Sequence, residues 1–195
     1  SPVAAPTSLR THPELAELFR TAESRQLTED ELEHYRSVVP QHADRARAAL
    51  AIRKVEAKTV RGVVQGIFQI YPYEEHHEYA TAKCTRDVRY VSAYATMSML
   101  MGDPQWFDDK LLLWLRTILW AFEFPDRAQR RRLLFAAPGE DAQRSQMSGK
   151  VRSIYDCYTR LRDGYEEALE PADFALIKPY LDQVIHTLTA DGVMR

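Results

Sequence analysis

The sequence predicts an all-α protein, and three observations predict it. Its 195 residues include only seven glycines, against 23 alanines, 19 leucines and 20 arginines, a balance that favours helix over every other regular state. Apolar residues recur at the helical period between well-marked starts and stops. No alternating apolar–polar run competes for a strand, and no internal repeat is present. The length suits one domain with a core of ordinary size.

The elements follow in order. Ser1 to Arg10 holds two prolines without periodicity and reads as an arm. Thr11-His-Pro13 opens a short helix running to about Ala22 through Leu15, Leu18 and Phe19. Thr28-Glu-Asp-Glu31 is a capping box, in which the threonine oxygen and the Glu31 carboxylate each accept from the other's orphan amide; that helix ends at Pro40. A long helix runs from Gln41 to about Tyr71, with Val60, Val63, Val64 and Ile67 in period, and Pro72 stops it. The next is expected from about His76 to Met101, closed by Gly102. Asp103-Pro104 is a cap with proline at the first helical position, and a helix from about Asp108 to Phe124 carries Leu112, Leu115, Leu119 and Phe122 on one face. Pro125 breaks it, a shorter helix reaches Phe135, and Ala136 to Gly149 reads as a loop around Pro138-Gly139. Two patterned helices finish the chain: Val151, Ile154, Tyr158, Leu161, Tyr165 and Leu169, then Phe174, Ile177, Leu181, Val184 and Leu188, with Pro171 between them.

Composition narrows the function. With 45% hydrophobic and 28% charged residues the chain is a folded domain. Apolar runs such as Leu111–Leu115 are too short to cross a bilayer. A net charge of −2 argues against a nucleic-acid partner. Two cysteines, Cys84 and Cys157, do not make a disulfide scaffold, and no basic-then-apolar leader opens the chain, so a reducing cytoplasm is expected. No nucleophile–base pair, glycine-rich phosphate loop or metal cluster stands out, so the chain is not expected to be an enzyme.

The chemistry concentrates in Lys83-Cys84-Thr85-Arg86-Asp87, where a thiol, a carboxylate and two cations share one helix. Cys84 and Asp87, three apart, share a face that Val88 and Val91 extend. Such a patch can anchor a conjugated ligand on the thiol, hold ring N–H groups on the carboxylate and meet ligand carboxylates with Lys83 and Arg86. The plainer account is a buried cysteine beside a surface ion pair, and spacing alone favours that account. Cys157, in Ile154-Tyr-Asp-Cys-Tyr158, reads as a packed thiol. Glu31-x-x-His34 and Glu74-x-x-His77 have di-iron spacing but lack two further inward glutamates, so they read as surface residues. His186, flanked by Val184 and Ile185, is a candidate haem ligand, and Arg127 with Arg130-Arg-Arg132 is a basic run suited to a solvated face or an acidic contact.

The stretch Lys83 to Asp87 resembles the K-C-x-R-D chromophore motif of the phycobiliproteins, the phycocyanin and allophycocyanin family. Ala22-Glu-Ser-Arg-Gln-Leu27-Thr28 is similar to the segment linking that family's N-terminal helices to its globin-like body. Gly66-Ile-Phe-Gln-Ile-Tyr-Pro72-Tyr73 resembles the end of its long second body helix, Gly102-Asp103 its G-D turn, Leu115-Arg116 through Ala121 to Pro125 its L-R-x-x-x-x-A-x-x-x-P helix end, and Tyr180-Leu-Asp182 the Y-x-D of its last helix. The segment from Tyr73 to Cys84 is shorter than in typical members, and 126–170 matches poorly.

The resemblance implies one globin-like helical domain over 1–195, with a helical pair at 11–40 and a body at 41–190. It implies an open-chain tetrapyrrole (bilin, such as phycocyanobilin) thioether-linked to Cys84, with Asp87 at the central pyrrole nitrogens and Arg86 and Lys83 at the propionates. Tyr90, Trp114 and Trp120 stand in for the aromatics that flank the bilin. It implies a light-harvesting part or associate of the phycobilisome, in the cytoplasm of a cyanobacterium at the periphery of the thylakoid. Its partners would be itself or a related subunit through the N-terminal helices, and phycobilisome linker or core proteins. A bilin-free relative acting in assembly or regulation is the alternative, and reversible haem binding a third. Pairing is expected because Leu15, Leu18 and Phe19, then Leu32, Tyr35, Val38 and Val39, form apolar stripes that two projecting helices cannot bury alone; the alternative is that both fold back onto the long helix.

Overall fold

A computed structural model describes residues 7–71, 79–121, 147 and 149–190. The expected all-α fold is observed: every regular element among the described residues is helical. In chain order these are α1 (Ala16–Thr21), α2 (Glu29–Val38), a 3₁₀ turn (Pro40–His42), α3 (Ala43–Ile70), α4 (Ala80–Met101), α5 (Pro104–Phe107), a π-helical stretch (Asp108–Leu112), α6 (Leu113–Ala121), α7 (Gly149–Ala168) and α8 (Pro171–Thr189). The readings at 122–146, including the shorter helix to Phe135 and most of the loop that follows it, lie outside the described residues.

Local chemistry sets the ends. At α2 the capping box forms: Thr28 Oγ1 accepts from the Glu31 amide and Glu31 Oε1 from the Thr28 amide, at 3.2 and 2.8 Å. Gly102 closes α4 at φ 68°, a left-handed conformation that a side chain would strain. Asp103 Oδ1 then accepts from the Trp106 amide at 3.0 Å, so the next helix starts at Pro104, four residues earlier than the periodicity indicates. It runs without a break through the π-helical stretch into α6. The turn from Thr11 is likewise irregular, and regular helix begins only at Ala16.

The core lies where α3 packs on α4, α7 and α8, and where α8 packs on α7 and α4. Every apolar position read on α7 and α8, from Val151 to Leu188, is buried. At the α3–α7 crossing Gly164 lies under Thr59, where an added Cβ would meet Thr59 Cγ2 at 3.0 Å.

The N-terminal helices correct one expectation. Leu15, Phe19, Leu32, Tyr35 and Val39 are buried within the same chain, and Leu18 and Val38 are half-buried. Tyr35 donates to the carbonyl of Leu100, the Leu9 amide to that of Met101 at 2.8 Å, and Ser8 to Asp103 at 2.8 Å. The two helices therefore fold back on the body rather than project from it. The exposed stripes that were the reason to expect pairing through them do not exist.

Candidate functional site

The motif residues lie on the first half of α4, where Thr85 returns a hydrogen bond to the Thr81 carbonyl at 2.8 Å. Counting by three and four, Cys84, Asp87, Val88 and Val91 form the inner side of the helix, while Ala82, Arg86, Arg89 and Ala93 look the other way. Val88 and Val91 are buried completely and draw Cys84 toward the core.

There Cys84 meets α7. Interaction with the thiol of Cys157, which is buried in the core, pulls the Cys84 pKa below the usual thiol value, against burial and the nearby Asp87 charge, which push it up. Cys157 is pushed well up by the same interaction and by its burial. Tyr158 is sealed beside the pair, its hydroxyl also pushed up by desolvation and by the charges of Cys157, Cys84 and Asp87. Asp87 is half-buried. Desolvation raises its pKa, opposed by Arg86, whose Nη2 lies 3.2 Å from Asp87 Oδ1. Lys83 is exposed at the rim.

The outer side of α4 faces a cleft of about 910 Å3, walled by Arg25, Arg53, Glu56, Arg86, Arg89 and Tyr90. Ser24, at its edge, holds φ 75°, a strained backbone for a residue with a side chain. Glu56 forms the floor and is buried. It accepts from Gln26 and from Ser92 Oγ at 3.1 Å, and Arg89 Nε stands 3.8 Å away. Since Ser92 gives its proton to Glu56, the Tyr165 hydroxyl, 2.5 Å from Ser92 Oγ, is the donor of that pair.

The five predicted site residues thus divide. Cys84 and Asp87 face inward together, Arg86 bridges by pairing with Asp87 while lining the cleft, Lys83 is at the surface, and Tyr90 belongs to the outer cleft. Six residues set Tyr90 about a third of a turn round the helix from Cys84. Trp114 is exposed on α6, and Trp120 is engaged with the Leu188 carbonyl at 2.9 Å beneath Arg116. The buried aromatic whose hydroxyl is influenced by both thiols is Tyr158, which sequence reasoning took only as a core position. Its only signal was the shared apolar period of Ile154, Cys157, Tyr158 and Leu161.

Other candidates are placed elsewhere. Glu31 is committed to its cap and to Arg25, and His34 contacts the Glu14 carbonyl. Glu74 and His77 lie outside the described residues, as does the run Arg127 to Arg132. His186 is exposed on α8, not turned into a haem-sized cleft. Among the described residues no group of three or more His, Cys, Asp or Glu is placed to hold a metal, and no helix is long and apolar enough to cross a membrane.

The donor set of the inner side fits a particular ligand chemistry. A thiol with a lowered pKa suits an electrophilic carbon, a desolvated carboxylate one turn on suits N–H donors, and the rim cations suit carboxylates. A family model described as Phycobilisome protein matches residues 20–134, a span that includes all of this part of α4. No curated protein matches the chain.

Proposed function

The chain belongs to the phycobilisome protein family, and from that premise we propose that it carries a bilin thioether-linked to Cys84 and acts as a light-absorbing component or associate of the phycobilisome rather than as an enzyme. The observation that carries this reading is the placing of the partly covered Cys84 thiol and the half-buried Asp87 carboxylate on the same side of α4, inside the span that the family model matches.

Each residue has a task. Cys84 supplies the thiolate that bonds to the ligand, and its lowered pKa favours that form. Asp87, held near 3.2 Å by Arg86 and short of water, gains from pyrrole N–H donors what burial takes from it. Lys83 and Arg86 remain near enough to solvent to meet two propionates. When bound, the conjugated tetrapyrrole supplies visible absorption and resonance transfer of excitation. Its partners would be other phycobilisome proteins. Docking through the N-terminal helices would have to use what stays accessible on them, chiefly Leu18 and Val38 among the apolar residues.

The test is co-expression with bilin synthesis and an attachment enzyme. The polypeptide should show a visible band that persists after denaturation and zinc-enhanced fluorescence on a gel, and Cys84→Ala should be colourless. Colour unchanged in Cys84→Ala would overturn the reading. A second reading, a bilin-free relative working through protein contacts, draws on the inward turn of Cys84 and on the exposed cations Arg53, Lys54, Lys58 and Arg61 along α3. An intact mass equal to the bare chain after the same co-expression decides for it.

A further inference from the structure

Chromophore attachment uses the inner side of α4 and leaves the outer cleft without a role. That cleft, of about 910 Å3, is the size of a small-molecule site, for which roughly 300–1,000 Å3 is usual. Three segments of chain wall it with guanidinium groups: Arg25 from the segment between α1 and α2, Arg53 from α3, and Arg86 and Arg89 from α4. Among the described residues that line it, Glu56 is the one carboxylate.

The hydrogen bonds separate these cations. Arg25 directs both terminal nitrogens at Glu31, and Arg86 directs Nε and Nη2 at Asp87. Arg53, one turn before Glu56 on α3, gives a bond from Nη1 to the Leu27 carbonyl at 3.1 Å. Arg89 Nε stands 3.8 Å from Glu56, beyond hydrogen-bond reach. Glu56 already accepts from Gln26 and Ser92. Among the described residues, therefore, most donors of Arg53 and all of those of Arg89 have no protein acceptor, and water serves them. One carboxylate does not neutralise this wall, and a concave cleft concentrates the positive field that is left. Forked guanidinium donors match phosphate oxygens in geometry as well as in charge. Tyr90 adds a feature of another kind. It lines the same wall one turn after Arg86 and is 39% exposed, which leaves aromatic surface open to a planar ring.

We propose that the outer cleft binds a nucleotide carrying two or more phosphates, with Arg53 and Arg89 on the phosphate oxygens, Arg25 and Arg86 adding charge from fixed positions, and Tyr90 against the base. No bond is made or broken there, and the site does not rest on the bilin reading above.

The experiment is titration calorimetry of the full chain at low salt, with ATP, pyrophosphate, adenosine, citrate and a polyglutamate peptide as probes. ATP should bind saturably at one site per chain, and pyrophosphate more weakly. Arg53→Ala and Arg89→Ala should each weaken ATP by about tenfold or more. Tyr90→Ala should weaken ATP by at least about fivefold and leave pyrophosphate unchanged. Arg61→Ala, on α3 outside the cleft, should alter neither. Circular-dichroism melts check that each variant is folded. Where an alanine variant melts early, Arg53→Lys or Arg89→Lys replaces it; lysine keeps the charge, loses the fork and should weaken ATP as well. No saturable ATP binding at millimolar concentration overturns the site. So does binding unchanged in both arginine variants, or Arg61→Ala as damaging as Arg53→Ala. Adenosine or citrate bound as tightly as ATP, or no effect of Tyr90→Ala, overturns the nucleotide assignment. Polyglutamate bound more tightly than ATP overturns it too, and makes the cleft a docking surface for an acidic protein. No arm reads bilin loading, so failure of the chromophore reading leaves these results standing.

Discussion

The two sides of α4 share one backbone and differ in nearly everything else. The inner side places Cys84 and Asp87 against α7, among Val88, Val91, Cys157 and Tyr158, where water is scarce. The outer side places Arg86, Arg89 and Tyr90 over an open cleft, joined by Arg25 and Arg53 from neighbouring segments. Scarcity of water makes each polar contact count for more, and burial alone lifts Asp87. Across the helix the same charges sit in high dielectric, where an exposed pair contributes about 0–1 kcal/mol. Reactivity therefore belongs to the inner side. The outer side offers charge and shape for a contact. Ser92 and Glu56 join the two, because their hydrogen bonds run from the cleft floor to the sealed hydroxyl of Tyr165.

The contrast is sharpest when one substitution is made on both sides. Val91→Asp puts a carboxylate without a partner into a position with no exposure. It should lower stability by at least about 4 kcal/mol and leave little soluble protein. Ala82→Asp, exposed in the cleft wall near Arg86 and Arg89, should change stability by no more than about 0.5 kcal/mol. Circular-dichroism melts of the two variants decide. Similar melting points would mean that α4 is not buried on the Cys84 side.

Much of this was legible in the sequence, for physical reasons that differ from element to element. Helix starts with a chemical cap, Thr28 with Glu31 and Asp103 with Pro104, were readable because the cap is local. The faces of α7 and α8 were readable because their apolar residues follow one period without interruption. The cap put the helix start at Pro104, whereas the leucine period identifies only the part after the π-helical turn at Asp108–Leu112, which changes the register. The N-terminal stripes show the limit of amphipathic patterns. A stripe says that a face is covered, and Leu15, Phe19 and Tyr35 are covered, but it does not say whether the cover is the same chain or another. The site divides in the same way. Spacing within α4 placed Cys84 with Asp87, while the interaction of Cys84 with Cys157, far apart in sequence, depends on how α4 and α7 are set against each other, and no local pattern encodes that.

A smaller effect tests the link between the sides. Ser92→Ala removes the group that donates to Glu56 and accepts from Tyr165, leaving a buried hydroxyl without its partner. The expected loss is about 1–3 kcal/mol, seen as a lower urea midpoint with an unchanged slope. A loss near zero would mean that Tyr165 and Glu56 are satisfied by water, and the floor of the cleft is then wetter than its geometry implies.

The smallest effect lies at the rim of the outer cleft, and pH separates its causes. Arg25 is held in the cleft wall by Glu31, with Nη1–Oε1 at 2.7 Å and Nη2–Oε2 at 3.0 Å. That side-chain bond, aided by the Thr28 amide, holds the Glu31 pKa down from 4.5 to about 2 in spite of some desolvation. A depressed folded-state pKa means that between those two values the native chain binds fewer protons than the unfolded chain. The stabilisation is then complete above 4.5 and fades as pH falls toward 2. Glu31→Gln keeps an acceptor for the Thr28 amide, as a glutamine does in a capping box, but drops the charge. Because the pair is near solvent, the substitution should cost about 1 kcal/mol at neutral pH. The gap between parent and variant should close between pH 4.5 and about 2. Paired urea titrations across that range measure it. A gap that stays constant down to the lowest pH would show that the variant disturbs packing, and the Arg25 bond would then not be what depresses Glu31.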